Sequence, residues 1–307
     1  MKRKTSFIKI VIISIGINLS TLGQVYNERD VEICNSKFEL AVDKKLSEKP
    51  VSEIISEIGR SFLGVNYEAF SLEKEGEEQL VIHLSGLDCT TFLENTLTLS
   101  RCIKANKTSF DDYKKELTFL RYRDGKLDGY PSRLHYFSDW IFNNTQKGIV
   151  KDVTKDIGGE PIKFDVFYMS KNPDKYKKLS ETPSFIPTIA KQEKEINKRQ
   201  YYYIPKEKVE KHESKIQNGD LIAITTNLKG LDIGHVGIAV KESDGRIHFL
   251  HAPLVGAKVE ISEKPLPEYL AAIKKHTGII LLRTVDGFNY KIIPRIDKST
   301  ETDKKVE

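Results

Sequence analysis

The sequence predicts an α+β fold in which a helix beginning at Cys89 packs on an antiparallel sheet near the end of the chain. One observation is a run of apolar or small residues with the spacing of a buried helix face: Phe92, Leu93, Thr96, Leu97, Ser100 and Ile103. The other is a series of β-rich segments separated by turn residues, at 221–225, 235–240, 246–252, 258–261 and 278–283. Helix and sheet are expected to share one core.

The start of the chain predicts a secretory signal peptide over residues 1–23. Basic residues precede an apolar run, and small residues suited to cleavage follow it: Lys2, Arg3, Lys4 and Lys9, then 10–17 and 21–23. The apolar run is too short to span a membrane, and no cysteine follows the cleavage point to carry a lipid. We therefore expect an exported, periplasmic protein without a stable membrane anchor.

Composition argues against nucleic acid as a partner. Without the four basic residues of 1–23, the net charge of +5 falls to +1. The remaining basic residues alternate with acidic ones, as at 206–208, which is typical of a solvated face. No cofactor and no metal are expected.

Residues 24–290 are expected to form a single catalytic domain, with 105–205 as a helical elaboration between the cysteine helix and the histidine strand. Residues 291–307 are expected to be a disordered, charged tail. The remaining elements, in order, are a helix from Val51 that ends near Gly64, a strand at 80–84, a helix at 113–122, a helix opened by Pro187, and a strand at 201–204 closed by Pro205.

Cys89 is the candidate nucleophile. Asp88 is a suitable N-cap, so the thiol lies in the first turn of the helix. Unpaired amide groups and the helix dipole favour a thiolate there, so we expect a lowered pKa. Three cysteines leave at least one unpaired within the chain; Cys102 is either a packed small hydrophobe or a partner for Cys34.

A cysteine nucleophile needs an imidazole to take its proton and a third group to orient that imidazole. His235 opens a strand with Gly237 and Ala239 on the same face, which would let a helix approach closely. The orienting group is expected on the next strand, and the loop that leads to that strand decides which histidine it is. A three-residue loop at 243–245 would set His251 diagonally beside His235, whereas a two-residue turn would favour His248.

We favour the three-residue loop, because it also puts Ile247 and Phe249 under the helix. Taken singly, Cys89 and His251 are more often buried structural residues than catalytic ones. Their order along the chain, together with the surrounding motifs, favours the catalytic interpretation.

Four ordered segments resemble the NlpC-type papain-like hydrolases of bacterial cell walls: 86–89, 218–220, 235–238 and 249–252. The chain is more closely similar to their N-acetylmuramoyl-L-alanine amidase-like family. That likeness rests on further segments: 62–67, 88–92, 133–136 with Asp139 and Trp140, 223–226, and 231–232. Gly234 departs from the pattern, since a small polar residue is expected before the histidine.

The resemblance implies a papain-like fold and an amidase that cleaves the bond between N-acetylmuramic acid and L-alanine in peptidoglycan or its soluble fragments, the muropeptides. It implies Cys89 as nucleophile forming an acyl-enzyme, His235 as base and His251 as orienting residue. Substrate contacts would come from Tyr67 near the thiol, from Asp88, and from Arg133 on a substrate carboxylate.

Alternatives remain open from the sequence alone. One is an endopeptidase that cuts the γ-D-glutamyl to diaminopimelate link, which residues 105–205 would decide. Another is a secreted muropeptide-binding module without catalysis. A third is a zinc site made by Cys89, His235 and His251, since these residue types ligate zinc.

Overall fold

The computed structural model describes residues 24–255 and 257–286. The predicted signal peptide at 1–23 and the predicted charged tail at 291–307 lie outside the described residues. Across the two described ranges, no helix is both long and apolar enough to cross a membrane.

The described chain contains helices and strands throughout its length. The helices are α1 Glu28–Asp43, α2 Val51–Arg60, α3 Cys89–Lys104, α4 Phe110–Arg121, α5 Phe137–Gln146, α6 Tyr168–Lys171, α7 Lys177–Glu181, α8 Ile186–Asn197, α9 Val209–His212 and α10 Leu266–Ala271. The strands are β1 Gln24–Val25, β2 Asn66–Tyr67, β3 Leu80–Val81, β4 Gly86–Leu87, β5 Val150–Asp152, β6 Glu160–Ile162, β7 Tyr201–Pro205, β8 Leu221–Thr226, β9 Ile233–Lys241, β10 Ile247–His251, β11 Glu260–Ile261 and β12 His276–Thr284.

An antiparallel sheet in the order β11-β10-β9-β8-β12-β7-β6 forms the centre of the fold, with β5 paired to β12. The five strands predicted after residue 220 are all present, with ends shifted by a few residues. Helices α4 to α8 lie between the cysteine helix and these strands in sequence. The predicted α+β architecture with helical insertions is therefore confirmed.

Helix α3 is buried on all sides rather than along one stripe. Every residue from Thr91 to Ile103 is buried, because α1, α2 and α4 cover the faces that β9 leaves free. The prediction of a single buried face was therefore too narrow. The polar residues along α3 lie in the core and need partners there.

The two faces of the sheet carry separate cores. Val236, Ile238 and Leu250 belong to the cluster that contains α2 and α3. Ile247 and Phe249 belong to the opposite cluster, with α10. Placing Ile247 and Phe249 under the cysteine helix was therefore wrong, because side chains alternate along a strand and the helices pack on the other set.

Two glycines show the same division of the sheet. A Cβ added at Gly59 in α2 would lie 2.9 Å from Leu250 Cδ2, so α2 approaches the sheet closely on the first face. A Cβ at Gly237 would lie 2.7 Å from Phe249 Cε2 on the second face. The absence of a side chain at Gly237 therefore makes room for Phe249. The prediction that it makes room for the cysteine helix was wrong.

The β9–β10 loop has the predicted three residues. Glu242 N donates to Arg246 O at 3.1 Å, and Gly245 has a φ of +79°, a conformation that glycine adopts without strain. Leu250 pairs with Ile238, so the next position, His251, continues opposite Gly237. The register prediction is confirmed.

Candidate active site

Asp88 caps the cysteine helix. Its Oδ1 accepts a hydrogen bond from Thr91 N at 2.7 Å, while Thr91 Oγ1 accepts one from Asp88 N at 2.9 Å. This reciprocal capping box fixes the chain entering α3. The predicted N-cap is therefore confirmed, and it holds Cys89 at the first helical position.

The sulfur of Cys89 lies against the backbone beside His235. Its hydrogen bonds run to the backbone amide of Val236 and to Thr90, whose Oγ1 is 4.0 Å away. Within the described ranges, they do not include the imidazole ring of His235 itself. The structure thus brings the candidate nucleophile next to the residue that follows the candidate base.

The thiol of Cys89 resists ionisation, contrary to the sequence-based expectation. Burial, reinforced by the adjacent Asp88 carboxylate, raises its pKa to about 12. The amides of Val236 and Thr90 act in the opposite direction but are outweighed. The Cys89 thiol is therefore neutral at pH 7.

His235 and His251 form a hydrogen-bonded pair. His235 Nε2 lies 2.7 Å from His251 Nδ1, with the two rings nearly perpendicular. Burial lowers the pKa of His235 to about 4 and that of His251 to about 2, and proximity to other histidines adds to both shifts. Both rings are neutral at pH 7, so His235 can accept a proton at its other nitrogen, Nδ1.

His248, the alternative partner for His235, has other contacts. Its Nδ1 lies 2.8 Å from Ser262 O, and its Nε2 lies 3.0 Å from Asp244 Oδ2. These bonds tie the β9–β10 loop to the strand and leave His251 as the partner of His235.

Gly234 is the extra residue of a β-bulge. Ile224 pairs with His235, but the next residue, Thr225, pairs with Ile233, so Gly234 has no cross-strand partner. Bulges often re-aim side chains beside active sites. This accounts for the sequence departure at position 234: a strand irregularity sets the direction in which His235 leaves the sheet.

Aromatic rings surround the two histidines. Phe249 stacks on His251 with centroids 4.6 Å apart, and the ring of Tyr269 from α10 lies 5.1 Å away. His276 at the start of β12 lies 6.0 Å from Tyr269. Sequence analysis gave neither Tyr269 nor His276 a role, because no local motif links them to residues 235–251.

A cavity of about 250 Å³ opens at the start of α3. Tyr67, Asp88 and Thr90 line it on the side of Cys89, and Phe70 and Arg133 contribute to its remaining walls. Burial raises the pKa of Tyr67, and the nearby Cys89 and Asp88 add to the effect. All three predicted substrate-contacting residues therefore line this cavity, while their contacts with substrate stay predictions.

Arg133 is already paired within the protein. It is buried and lies 2.8 Å from Glu73 Oε1 and 3.2 Å from Glu78 Oε1. The two carboxylates raise the pKa of its guanidinium against the effect of burial. A substrate carboxylate would therefore have to share Arg133 with these two glutamates.

A second buried ion pair lines the same cavity. Arg121 Nε donates to Glu94 Oε2 at 2.7 Å, and Arg121 Nη1 donates to Val81 O at 2.6 Å. Trp140 Nε1 also donates to Glu94, at 3.2 Å. This network ties α3 to α4 and α5 directly below the cavity, and sequence analysis did not find it.

The ligand arrangement does not favour the zinc alternative. Within residues 24–255 and 257–286, no three histidine, cysteine or carboxylate side chains are grouped as a metal site requires. All three cysteines are free thiols, and Cys34 and Cys102 are buried.

Known proteins resemble the chain over most of its length. A model of the N-acetylmuramoyl-L-alanine amidase-like family matches residues 57–279. An N-acetylmuramoyl-L-alanine amidase from Bacteroides uniformis is 37% identical, with 76% of this chain and 99% of that chain covered and a TM-score of 0.73.

Two further structures are similar. A Bacteroides fragilis protein that is called a xylanase is 40% identical, with 74% of this chain and 100% of that chain covered and a TM-score of 0.71. A Legionella pneumophila protein is 23% identical, with 84% of this chain and 97% of that chain covered and a TM-score of 0.62, which shows likeness of fold alone. No curated protein matches the chain.

Proposed function

The chain belongs to the N-acetylmuramoyl-L-alanine amidase-like family and is an enzyme, and from this premise we propose that it is a cysteine amidase. It hydrolyses the amide bond between N-acetylmuramic acid and L-alanine in peptidoglycan or its soluble fragments. The observation that carries the proposal is the hydrogen bond between the Cys89 sulfur, at the start of α3, and the backbone amide of Val236, because it sets the thiol beside His235 and its partner His251. The packing of α3 on the sheet supports placing the chain among the papain-like, NlpC-type hydrolases.

In the proposed mechanism, the Cys89 thiol and the His235 imidazole are both neutral before the reaction begins. Cys89 gives its proton to Nδ1 of His235 as the sulfur attacks the lactyl carbonyl, because a thiol with a raised pKa stays protonated until attack. The tetrahedral oxyanion would be stabilised by amide groups in the first turn of α3, which lack intrahelical partners. His235 then protonates the leaving amine of L-alanine, and afterwards activates the water that releases the acyl group.

The cavity offers an aromatic surface for the sugar. Phe70 lines it, yet is 79% exposed and has a φ of +59°. A bulky side chain rarely adopts that backbone conformation, and such strain is characteristic of functional positions. The apolar face of the muramic acid ring would pack on Phe70, while Tyr67, which lies near Cys89, lines the same cavity.

A glycosidase, as the name of the B. fragilis protein suggests, receives less support from the site. Glycoside hydrolysis uses two carboxyl groups, one acting as acid and one as base or nucleophile. The carboxylates that line this cavity are engaged: Asp88 with Thr91, Glu94 with Arg121, and Glu73 with Arg133. None of these pairings leaves an acid and a base free to act together.

Export to the periplasm is part of the proposal. Residues 1–23 have the composition of a leader, and peptidoglycan lies in that compartment. Fractionation of expressing cells tests it: the processed protein should be found with periplasmic markers, and an unprocessed cytoplasmic protein would contradict it.

A digest of defined muropeptides tests the function. Mass spectrometry should find free N-acetylmuramic acid and a peptide that begins with L-alanine. Products in which L-alanine always stays on the sugar would show the γ-D-glutamyl endopeptidase instead, and binding without turnover would show a binding module.

Two cysteine variants control the digest. Cys89→Ala should abolish cleavage, whereas Cys102→Ala, which removes a buried thiol farther along the same helix, should retain it. Cleavage that survives a chelator but not a thiol alkylator would separate cysteine chemistry from metal chemistry. Full activity of Cys89→Ala would overturn the proposal.

A further inference from the structure

The ring of His251 uses one of its two nitrogens. Its Nδ1 is hydrogen-bonded to His235, whereas its Nε2 is buried and has no hydrogen-bond partner in the described part of the chain. A buried polar group without a partner destabilises the folded state. An orphaned nitrogen in a catalytic pair therefore requires an explanation.

The proposed function fixes which nitrogens carry protons. If Nδ1 of His235 is to accept the proton of Cys89, Nε2 of His235 carries the hydrogen of the resting ring. That hydrogen is donated to Nδ1 of His251, 2.7 Å away. His251 then carries its own hydrogen on Nε2, so the orphaned atom is an N–H donor in need of an acceptor.

The sheet register sets one carboxylate in front of this donor. Glu260 on β11 is the direct cross-strand partner of His251 on β10, and directly opposed residues project from the same face. Glu260 Oε1 lies 4.0 Å from His251 Nε2. The Glu260 side chain is 48% exposed, whereas that of His251 is 1% exposed, so the carboxylate has room to move and the ring does not.

We propose that Glu260 is a positioning residue of this active site, accepting the Nε2 hydrogen of His251. Closing the gap needs a shift of about 1 Å, and catalytic hydrogen bonds are often long before substrate binds. A chain of hydrogen bonds would then run from His235 through His251 to Glu260, across β9, β10 and β11, while the proton of Cys89 stays on His235. The carboxylate fixes the tautomer of His251 and balances the positive charge that His235 acquires.

The other groups around His251 do not offer this negative charge. His235 and His276 are histidines whose positive forms oppose a charge on His251. Tyr269 is a phenol whose pKa burial raises to about 12, so it stays neutral at pH 7. Of the residues described around the ring, Glu260 is the one with a carboxyl side chain.

Three variants and two measurements test the proposal, which rests on the proposed function. Glu260→Ala removes both acceptor and charge, Glu260→Gln keeps an acceptor oxygen, and Glu263→Gln removes an exposed carboxylate nearby on the chain. Steady-state kinetics on a muropeptide give kcat and KM, and ¹⁵N NMR of histidine-labelled protein identifies the protonated nitrogen of His251 without any substrate.

Glu260→Ala should lower kcat by roughly 10- to 100-fold, the usual range for a carboxylate that orients a functional histidine, with little change in KM. Its NMR spectrum should show His251 losing the fixed Nε2–H tautomer. Glu260→Gln should lie between Glu260→Ala and wild type in both measurements, and Glu263→Gln should match wild type.

Unchanged kcat and an unchanged His251 tautomer in Glu260→Ala would overturn the proposal. A loss of activity equal in Glu260→Gln and Glu263→Gln would also overturn it. If wild-type protein cleaved no muropeptide while the tautomer still depended on Glu260, the proposed function would fail and the positioning role would stand.

Discussion

The sheet side of the active site and the helical side handle charge in opposite ways. On the sheet side, His235, His251 and His276 lie among aromatic rings, and burial keeps them neutral at pH 7. On the helical side, Arg121 and Arg133 are equally buried, but each is paired with carboxylates. The first environment suppresses ionisation and the second compensates it.

The difference follows from what each side has to do in the proposed reaction. A base must change its protonation state during turnover, so an imidazole that is not held in a direct ion pair can accept a proton and give it back. A cavity wall must hold its shape, and an ion pair with hydrogen bonds on both partners does so rigidly. In the proposed reaction, the histidines on the sheet side therefore transfer protons, whereas the arginine–carboxylate pairs on the helical side hold the shape of the cavity.

Among the variants that test this comparison of the two sides, removing His235 should give the largest effect. His235→Ala takes away the base that accepts the proton of Cys89, so we expect kcat to fall by roughly 10²- to 10⁴-fold with the fold intact. Muropeptide hydrolysis and circular dichroism check this. His212→Ala, at a partly exposed position, is the control; equal losses in both variants would contradict a specific role for His235.

Breaking an ion pair on the helical side should mainly cost stability. Arg121→Met leaves Glu94 buried without its partner, and such losses amount to about 3–5 kcal/mol. Urea unfolding measures this loss in the free energy of unfolding. The double variant with Glu94→Leu should recover much of the loss, whereas Lys198→Met, which breaks an exposed pair with Glu195, should have no measurable effect. An unchanged unfolding midpoint for Arg121→Met would contradict the architectural role.

Acid should destabilise the fold mainly through the sheet side, because three of the four histidines whose pKa is lowered by burial lie there, whereas the fourth, His135, lines the cavity on the helical side. The pKa values of His235 and His276 are lowered to about 4 and that of His251 to about 2, from an ordinary value of 6.5. As the pH falls below 6.5, the unfolded chain takes up protons that the folded chain refuses, so the free energy of unfolding decreases.

Urea midpoints between pH 7 and pH 4 measure this loss. His276→Gln should make the decrease shallower, because it removes one of the three groups. The acid limb of kcat should lie well below pH 6.5, since His235 stays a base until it protonates near pH 4. A limb near 6.5 would show that His235 is not held neutral by burial.

Phe70→Gly should give the smallest effect and the one most specific to substrate. Glycine relieves the strain at a φ of +59°, worth about 1 kcal/mol, and little packing is lost from a side chain that is 79% exposed. Stability should therefore hold or rise slightly while KM increases. A destabilised variant with unchanged KM would show that Phe70 serves the fold instead.

The histidine pair on the sheet could be predicted from local sequence, but the buried ion pair between the helices could not. His235 and His251 follow from strand periodicity and from Gly245 in a three-residue loop, all within 20 residues. Glu94 and Arg121 are 27 positions apart and meet only because α3 and α4 pack together. No periodicity encodes that contact.

Two other failures have the same origin. The thiol pKa of Cys89 depends on how deeply tertiary packing buries it, whereas the helix-end effect is visible in the sequence. Helix α1 was not predicted, since its buried residues Cys34, Phe38 and Ala41 form a sparse stripe. Such a stripe becomes informative only once the helices that cover it are known.

Trapping the covalent intermediate tests the central claim most directly. Purified protein mixed with a muropeptide and quenched in acid can be digested and analysed by mass spectrometry. We predict an N-acetylmuramyl group attached through its lactyl carbonyl to Cys89, with the L-alanine peptide released. A peptide stem on Cys89, or turnover with no adduct on that residue and full activity in Cys89→Ala, would contradict the account.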